Sequence, residues 1–163
     1  MKPSVYVETT IPSYYVARES RNIIQVARQE LTREWWNLRS ANYELFTSQV
    51  VLAEVGDGDV HLACARIALL EAIPLLDVDE AVEQMAMELI KKRILPEKAA
   101  RDALHIAVSA VHKMDYLLTW NCKHIANPHI QNRIRACFAE YLLDIPLICT
   151  PEEFIGDDNN IEN

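Results

Sequence analysis

Val5-Tyr6-Val7-Glu8 is a run of three apolar, strand-prone residues that ends in a carboxylate. A second apolar run, Tyr116-Leu117-Leu118-Thr119, is followed two residues later by Asn121. In open parallel sheets, ligands bind in the crevice outside the carboxyl ends of the strands. The two runs therefore predict that Glu8 and Asn121 lie together at the functional edge of an α/β sheet.

The rest of the chain alternates between strand and helix patterns. Strands are predicted at residues 3–8, 43–47, 75–78, 116–119 and 147–149. Helices are predicted at residues 20–41, 50–55, 59–72, 79–94, 96–113 and 128–142, with a helical turn at 151–155 and a loop at 9–15 around Pro12. This alternation predicts one α/β domain over residues 1–155, with a central, mainly parallel sheet flanked by helices on both faces. Residues 156–163 are predicted to form an acidic, disordered tail.

Length and composition predict a globular domain. The chain has 163 residues, 50% of them hydrophobic and 25% charged, which is ordinary usage and allows a sizeable core. Its 3 glycines form neither a dinucleotide-binding fingerprint nor a P-loop. The net charge of -8 argues against a broad nucleic-acid surface, because phosphate contacts need clustered Lys and Arg. Any nucleic acid must be held locally, and partly through metal.

Cysteine usage and hydropathy predict the compartment. The 4 cysteines are widely spaced with no C-x-x-C pair, and no apolar leader precedes Val5. We therefore expect reduced thiols in a cytoplasmic protein. The apolar stretches are interrupted by charge well before the roughly 18 residues that a membrane span needs, so no membrane partner is expected.

Glu54 and Asp102 complete a candidate metal site, because predicted helices would bring them to the strand ends that carry Glu8 and Asn121. Ser48 is placed to cap the helix that carries Glu54. The four oxygen donors, with no obligatory Cys or His, suit Mg²⁺ or Mn²⁺ rather than zinc. Three carboxylates neutralise one divalent ion but not two, so we expect one tightly held ion and a second recruited only by substrate phosphate.

Each of the four residues also has a purely structural interpretation. Glu8 fits a solvated strand end, and Glu54 fits charge that a helix dipole favours. Asp102 fits an ion pair on a helix surface, and Asn121 fits a turn. Their joint placement favours the shared site over four separate explanations.

Other polar residues give weaker signals. Cys122, His124 and His129 lack a spacing typical of structural zinc. His105, three residues after Asp102, is interpreted as a packing residue or as support for the site rather than a ligand. The basic concentration around residues 91–101 is interpreted as a solvated helix face, with guidance of a nucleic acid toward the acids as the alternative.

Four segments of the chain resemble the signature blocks of the PIN-domain nucleases, in the same order and spacing. The segments are residues 6–14 (YVETTIPSY), 48–54 (SQVVLAE), 102–107 (DALHIA) and 118–125 (LTWNCKHI). The resemblance covers the chain from Val5 to about Phe154. It is closest to the VapC-like branch, the toxin ribonucleases of type II toxin-antitoxin pairs.

The resemblance implies that residues 1–155 form a PIN-like nuclease domain. The acids of such a domain hold Mg²⁺ or Mn²⁺ and hydrolyse phosphodiester bonds in single-stranded RNA. Carried over position by position, the catalytic and metal-binding residues are Glu8, Glu54, Asp102 and Asn121. The implied partners are an antitoxin protein that neutralises the toxin and, in a homodimer, a second copy of the chain.

The sequence departs from the family pattern at three positions. Glu8 is one methylene longer than the usual Asp, Asn121 offers a neutral carbonyl where Asp is frequent, and Arg101 stands where near relatives often carry another acid. Thr9 and Thr119 match hydroxyl positions of the family that orient a water or a phosphate oxygen. Ordinary strand-end hydrogen bonding explains these two threonines equally well.

The departures leave two alternatives to a toxin ribonuclease. A catalytically degenerate PIN-like domain would serve as a binding or interaction module. A phosphotransfer receiver domain is disfavoured, because receivers need two adjacent acids after the first strand, and here Glu8 is followed by Thr9 and Thr10.

Overall fold

A five-stranded parallel sheet forms the centre of the molecule in the computed structural model, which describes residues 1–155. The strands are β1 (Ser4–Val7), β2 (Glu44–Ser48), β3 (Leu75–Leu76), β4 (Tyr116–Leu118) and β5 (Leu147–Cys149). They lie in the order β3-β2-β1-β4-β5, and each neighbouring pair is parallel. The predicted α/β architecture is confirmed, and the predicted tail at 156–163 lies outside the described residues.

Helices cover both faces of this sheet. They are α1 (Thr10–Val16), α2 (Ile23–Glu34), α3 (Gln49–Val55), α4 (Val60–Leu70), α5 (Glu80–Lys91), α6 (Ala100–Val111), α7 (Pro128–Ala139) and α8 (Pro151–Ile155). Successive strand residues point to opposite faces, and Val5, Tyr6 and Val7 of β1 are all fully buried. The central strand is therefore covered on both sides, as both faces of a parallel sheet require.

Residues 9–15, predicted as a loop, instead belong largely to helix α1. Pro12 lies in the first turn of α1, where a helix does not use the backbone N–H that proline lacks. Ile11 and Pro12 are buried, so packing on the sheet stabilises this short helix. Helix α1 begins two residues after Glu8 and is therefore part of the candidate site.

Several element boundaries also differ from the predicted ones. The predicted helix 20–41 is α2 followed by a π-helical turn at Trp35–Arg39. Helix α6 begins at Ala100 after a 3₁₀ turn, which places Asp102 in its first turn rather than its second. Strand β3, predicted to be buried, lies at the sheet edge, and its Leu75 is exposed.

The topology brings the predicted site residues to one edge. Strand β1 lies at the centre between β2 and β4, so Glu8 and Asn121 follow neighbouring parallel strands. Helix α3, which carries Glu54, begins directly after β2. Helix α6 packs against α5 and contacts α3, and its small residues Ala103, Ala107 and Ala110 are buried.

No helix in the described part of the chain is long and apolar enough to cross a membrane.

Two leucines on adjacent strands test the account of the core. Leu117 of β4 is fully buried, whereas Leu147 of β5 is 61% exposed. We expect Leu117→Ala to lower the free energy of unfolding by about 2–5 kcal/mol, because it leaves a cavity between the sheet and its helices. Leu147→Ala should change it by under about 0.5 kcal/mol. Urea denaturation measures both, and equal losses would contradict the difference in burial between the two leucines.

Candidate metal centre

Glu8 is a buried carboxylate at the end of the central strand. It is 2% exposed, and its Oε2 accepts three hydrogen bonds: from the Thr10 backbone N–H at 3.0 Å, the Thr10 hydroxyl at 2.5 Å and the Thr119 hydroxyl at 2.8 Å. Burial raises the pKa of Glu8, and the charge of His105 and these donors offset the rise only in part. The site thus holds a carboxylate whose charge lacks full compensation from protein groups.

Glu54 projects from α3 and is held by one of its oxygens. Its Oε1 accepts from the Thr9 hydroxyl at 2.9 Å and lies 2.5 Å from His105 Nε2. Burial alone would raise the pKa of Glu54, but the hydrogen bond and charge of His105 outweigh it and lower that pKa. Burial likewise opposes protonation of His105, and the bond to Glu54 reverses this effect and raises the His105 pKa. Glu54 is therefore an ionised, anchored carboxylate.

Asp102 and Asn121 are joined through His124. His124 Nδ1 lies 2.9 Å from Asp102 Oδ2, and the His124 backbone N–H donates to Asn121 Oδ1 at 3.0 Å. The Asn121 N–H in turn donates to the Thr119 hydroxyl at 2.9 Å. A continuous set of hydrogen bonds and main-chain links thus connects Asp102 to Glu8. The bond from the His124 N–H to Asn121 Oδ1 is also a side-chain turn, which is the structural interpretation of Asn121 given above.

The three carboxylates share one feature: each is bonded through one oxygen only. Within residues 1–155, Glu8 Oε1, Glu54 Oε2 and Asp102 Oδ1 accept no hydrogen bond. None of the three is among the buried polar atoms without a partner, so each has access to solvent. The protein anchors one oxygen of each acid and leaves the other available.

These free oxygens are the donor type that a hard divalent cation prefers. In the described residues, however, no three His, Cys, Asp or Glu side chains lie close enough together to hold one ion. The chemistry of the donor set fits Mg²⁺ or Mn²⁺, and shared coordination requires the free oxygens to converge through side-chain rotation. Asn121 fits less well because its Oδ1 already accepts a hydrogen bond.

The predicted supporting residues are all in contact with the acids. Thr9 and His105 bond to Glu54, and Thr119 bonds to Glu8. Sequence reasoning missed Thr10 and His124. Thr10 lies two residues after Glu8, the spacing at which a side chain reaches back to a carboxylate, and the Asn121–His124 spacing of three is typical of a side-chain turn.

Comparison with known proteins identifies similarity at the level of the fold. No family model and no curated protein matches the sequence. A chain in the VapBC2 structure from Rickettsia felis, solved bound to a DNA fragment from their promoter, superposes with a TM-score of 0.52 at 15% identity, over 90% of this chain and 98% of that chain. A chain in the VapBC-1 structure from nontypeable Haemophilus influenzae gives 0.54 at 14% identity, over 91% and 98%. The chain has the PIN-like α/β fold that the sequence predicts.

Thr119 tests whether hydroxyl groups hold the acids in place. Thr119→Val keeps the shape but deprives Glu8 of a donor and the Asn121 N–H of an acceptor. We expect it to lower the free energy of unfolding by about 1–3 kcal/mol. Thr119→Ser keeps the hydroxyl and loses one methyl group, at a cost of about 0.8 kcal/mol. Urea denaturation should therefore rank serine above valine, and the reverse order would show that Thr119 contributes by packing alone.

Proposed function

We propose that the protein is a divalent-metal-dependent endoribonuclease of the VapC-like kind, which hydrolyses phosphodiester bonds in single-stranded RNA. We further propose that an antitoxin protein neutralises it. The fold supports this proposal, since the two structures compared above are VapBC structures. The RNA substrate rests on the resemblance of the sequence segments, and the requirement for Mg²⁺ or Mn²⁺ rests on the oxygen donors of the site.

One observation supports the metal-dependent reaction above all others. Glu8, Glu54 and Asp102 lie at the same edge of the sheet, and each has one oxygen fixed by protein donors and the other free. The free oxygens have access to solvent, and they lie at the edge where the carboxyl ends of the parallel strands meet, which is where open sheets bind ligands. Three carboxylates that each present one accessible oxygen at that edge favour a cation as the ligand.

A divalent cation bound there would supply counter-charge and Lewis acidity toward a phosphate oxygen. Glu8, Glu54 and Asp102 would hold it through Oε1, Oε2 and Oδ1, respectively. The hydroxyls of Thr10 and Thr119 hold Oε2 of Glu8, which leaves Oε1 as its oxygen for the cation. No side chain is required as a covalent nucleophile.

The charge distribution supports local rather than extensive contact with RNA. Several cations of the basic segment are paired within the protein: Lys91 with Glu88, Lys92 with Glu140, and Arg101 with Asp57. These pairs fit a solvated, internally neutralised surface rather than an RNA guide. We therefore expect weak RNA binding that weakens further as salt rises.

A catalytically degenerate binding module is the alternative function, and two observations favour it. Asn121 uses its Oδ1 in a turn, and no ready-made cluster of three ligating side chains is present in residues 1–155. Tight binding of RNA without cleavage, in the presence of Mn²⁺, would support this alternative.

Cleavage of single-stranded RNA tests the proposal directly. Purified protein should cut it with Mn²⁺ or Mg²⁺ and stop in chelator. Asp102→Asn should lose at least about tenfold in rate, since it removes a charged ligand while leaving an acceptor for His124. Asp144, which is exposed, gives the matched control Asp144→Asn, which should cut at the wild-type rate. Equal cutting by both variants would identify the activity as a contaminant.

Asn121→Asp tests the fourth position. The carboxylate keeps the acceptor for the His124 N–H and adds charge near the cation. We expect tighter Mn²⁺ binding by calorimetry, and a lower melting temperature in chelator, because a further acid repels the others when no ion is present. Asn127 uses its Oδ1 in a similar way, accepting from His129 N at 3.0 Å, so Asn127→Asp is the matched control. Identical Mn²⁺ affinities for the two variants would place Asn121 outside the metal site.

A further inference from the structure

A fully buried hydrogen-bonded chain of side chains leads from the sheet core to Glu54. Ser48 Oγ lies 2.8 Å from Tyr6 Oη, which lies 2.8 Å from His105 Nδ1, and His105 Nε2 lies 2.5 Å from Glu54 Oε1. Ser48, Tyr6 and His105 are each 0% exposed. These hydrogen bonds join β1, the end of β2 and α6 to a single carboxylate on α3.

The direction of the last hydrogen bond follows from the chemistry of its two atoms. An ionised carboxylate only accepts hydrogen bonds, so His105 Nε2 must carry the proton that lies between the two groups. At the other side of the ring, Nδ1 meets the Tyr6 hydroxyl, which can either donate or accept, and Ser48 can take the complementary role. In either arrangement Nε2–H donates to Glu54, and the ring orientation is the same.

Ser48 takes part in these hydrogen bonds instead of capping a helix. The residue occupies the N-cap position of α3, where its hydroxyl would be expected to accept from a helix N–H. Instead it makes no capping hydrogen bond, and its hydroxyl bonds to Tyr6. Ser48 therefore supports His105 through Tyr6 and leaves the N-terminus of α3 without a side-chain cap.

We propose that His105 is a positioning residue for Glu54. Its Nε2–H and the Thr9 hydroxyl converge on Oε1, which leaves the other oxygen, Oε2, as the free ligand atom and limits the rotation of a long side chain. Tyr6 and Ser48 hold the imidazole ring in the orientation that this requires. The proposal rests on the proposed metal-dependent function, in which Glu54 Oε2 is a ligand.

Two substitutions of His105 separate positioning from the other roles. The side-chain amide of His105→Gln reaches about as far as Nε2 and can donate to Glu54, whereas that of His105→Asn reaches about as far as Nδ1 and can meet only Tyr6. We expect His105→Gln to bind Mn²⁺ within about threefold of the wild type by calorimetry. His105→Asn should lose about 10–100-fold, the usual effect of removing a group that orients a metal ligand.

The outcomes distinguish the alternatives. Equal Mn²⁺ affinity in His105→Gln and His105→Asn would overturn the positioning role and leave His105 as a packing residue. Wild-type affinity in His105→Gln with loss of RNA cleavage at saturating Mn²⁺ would support positioning and add proton transfer to the role of His105, because an amide cannot carry a proton between groups. If the wild-type protein binds no Mn²⁺, both this proposal and the proposed function fail, whereas the two outcomes above leave the function intact.

A pair of serine variants keeps the test informative if His105→Asn does not fold. Ser48→Ala removes the hydroxyl that bonds to Tyr6, and we expect it to weaken Mn²⁺ binding about threefold or more. Ser109→Ala is the matched control, since Ser109 is also fully buried but donates to the Ile106 carbonyl of its own helix. Equal Mn²⁺ affinities in these two variants would overturn the proposed role of the hydrogen bonds from Ser48 and Tyr6 to His105.

Discussion

The burial of the Glu8 carboxylate at the end of the central strand is the constraint on which the site depends. A buried carboxylate is costly unless it is hydrogen-bonded and paired with positive charge. Thr10 and Thr119 supply donors to one oxygen, but they are neutral. Burial consequently raises the pKa of Glu8, and a cation bound at its free oxygen would compensate the charge.

The carboxylates of Glu54 and Asp102 also need hydrogen bonds and positive charge. Glu54 receives its positive neighbour from inside the protein, because His105 is buried against it. Asp102 Oδ2 lies 2.9 Å from His124 Nδ1. Two of the three carboxylates thus have a histidine as a hydrogen-bond partner, whereas Glu8, the most deeply buried, is hydrogen-bonded to hydroxyl and amide groups. A cation bound at this edge would contribute most to Glu8.

Sequence reasoning predicted the sheet, its parallel strands and the edge at which the acids meet, because strand periodicity and strand-end polarity are local signals. It missed the helical conformation of residues 10–16, because Pro12 indicates a loop when its place in a first turn is unknown. The hydrogen-bond partners of the acids could not be predicted from the sequence either. His124 and Asp102 are 22 residues apart, and Tyr6 and His105 are 99 apart, so only the folded chain shows that they touch. Leu75 was predicted to be buried because hydropathy does not reveal which strand lies at an edge.

The most direct test of a metal centre at this edge is a crystal structure of the protein grown with Mn²⁺, with anomalous diffraction recorded at the manganese absorption edge. We expect an anomalous peak between β1, α3 and α6 that is ligated by Glu8 Oε1, Glu54 Oε2 and Asp102 Oδ1 at roughly 2.0–2.3 Å, typical of oxygen ligands to such ions. Glu54 Oε1 should keep its hydrogen bond to His105 in that structure. A map at high Mn²⁺ concentration with no peak at this edge would contradict a metal centre there.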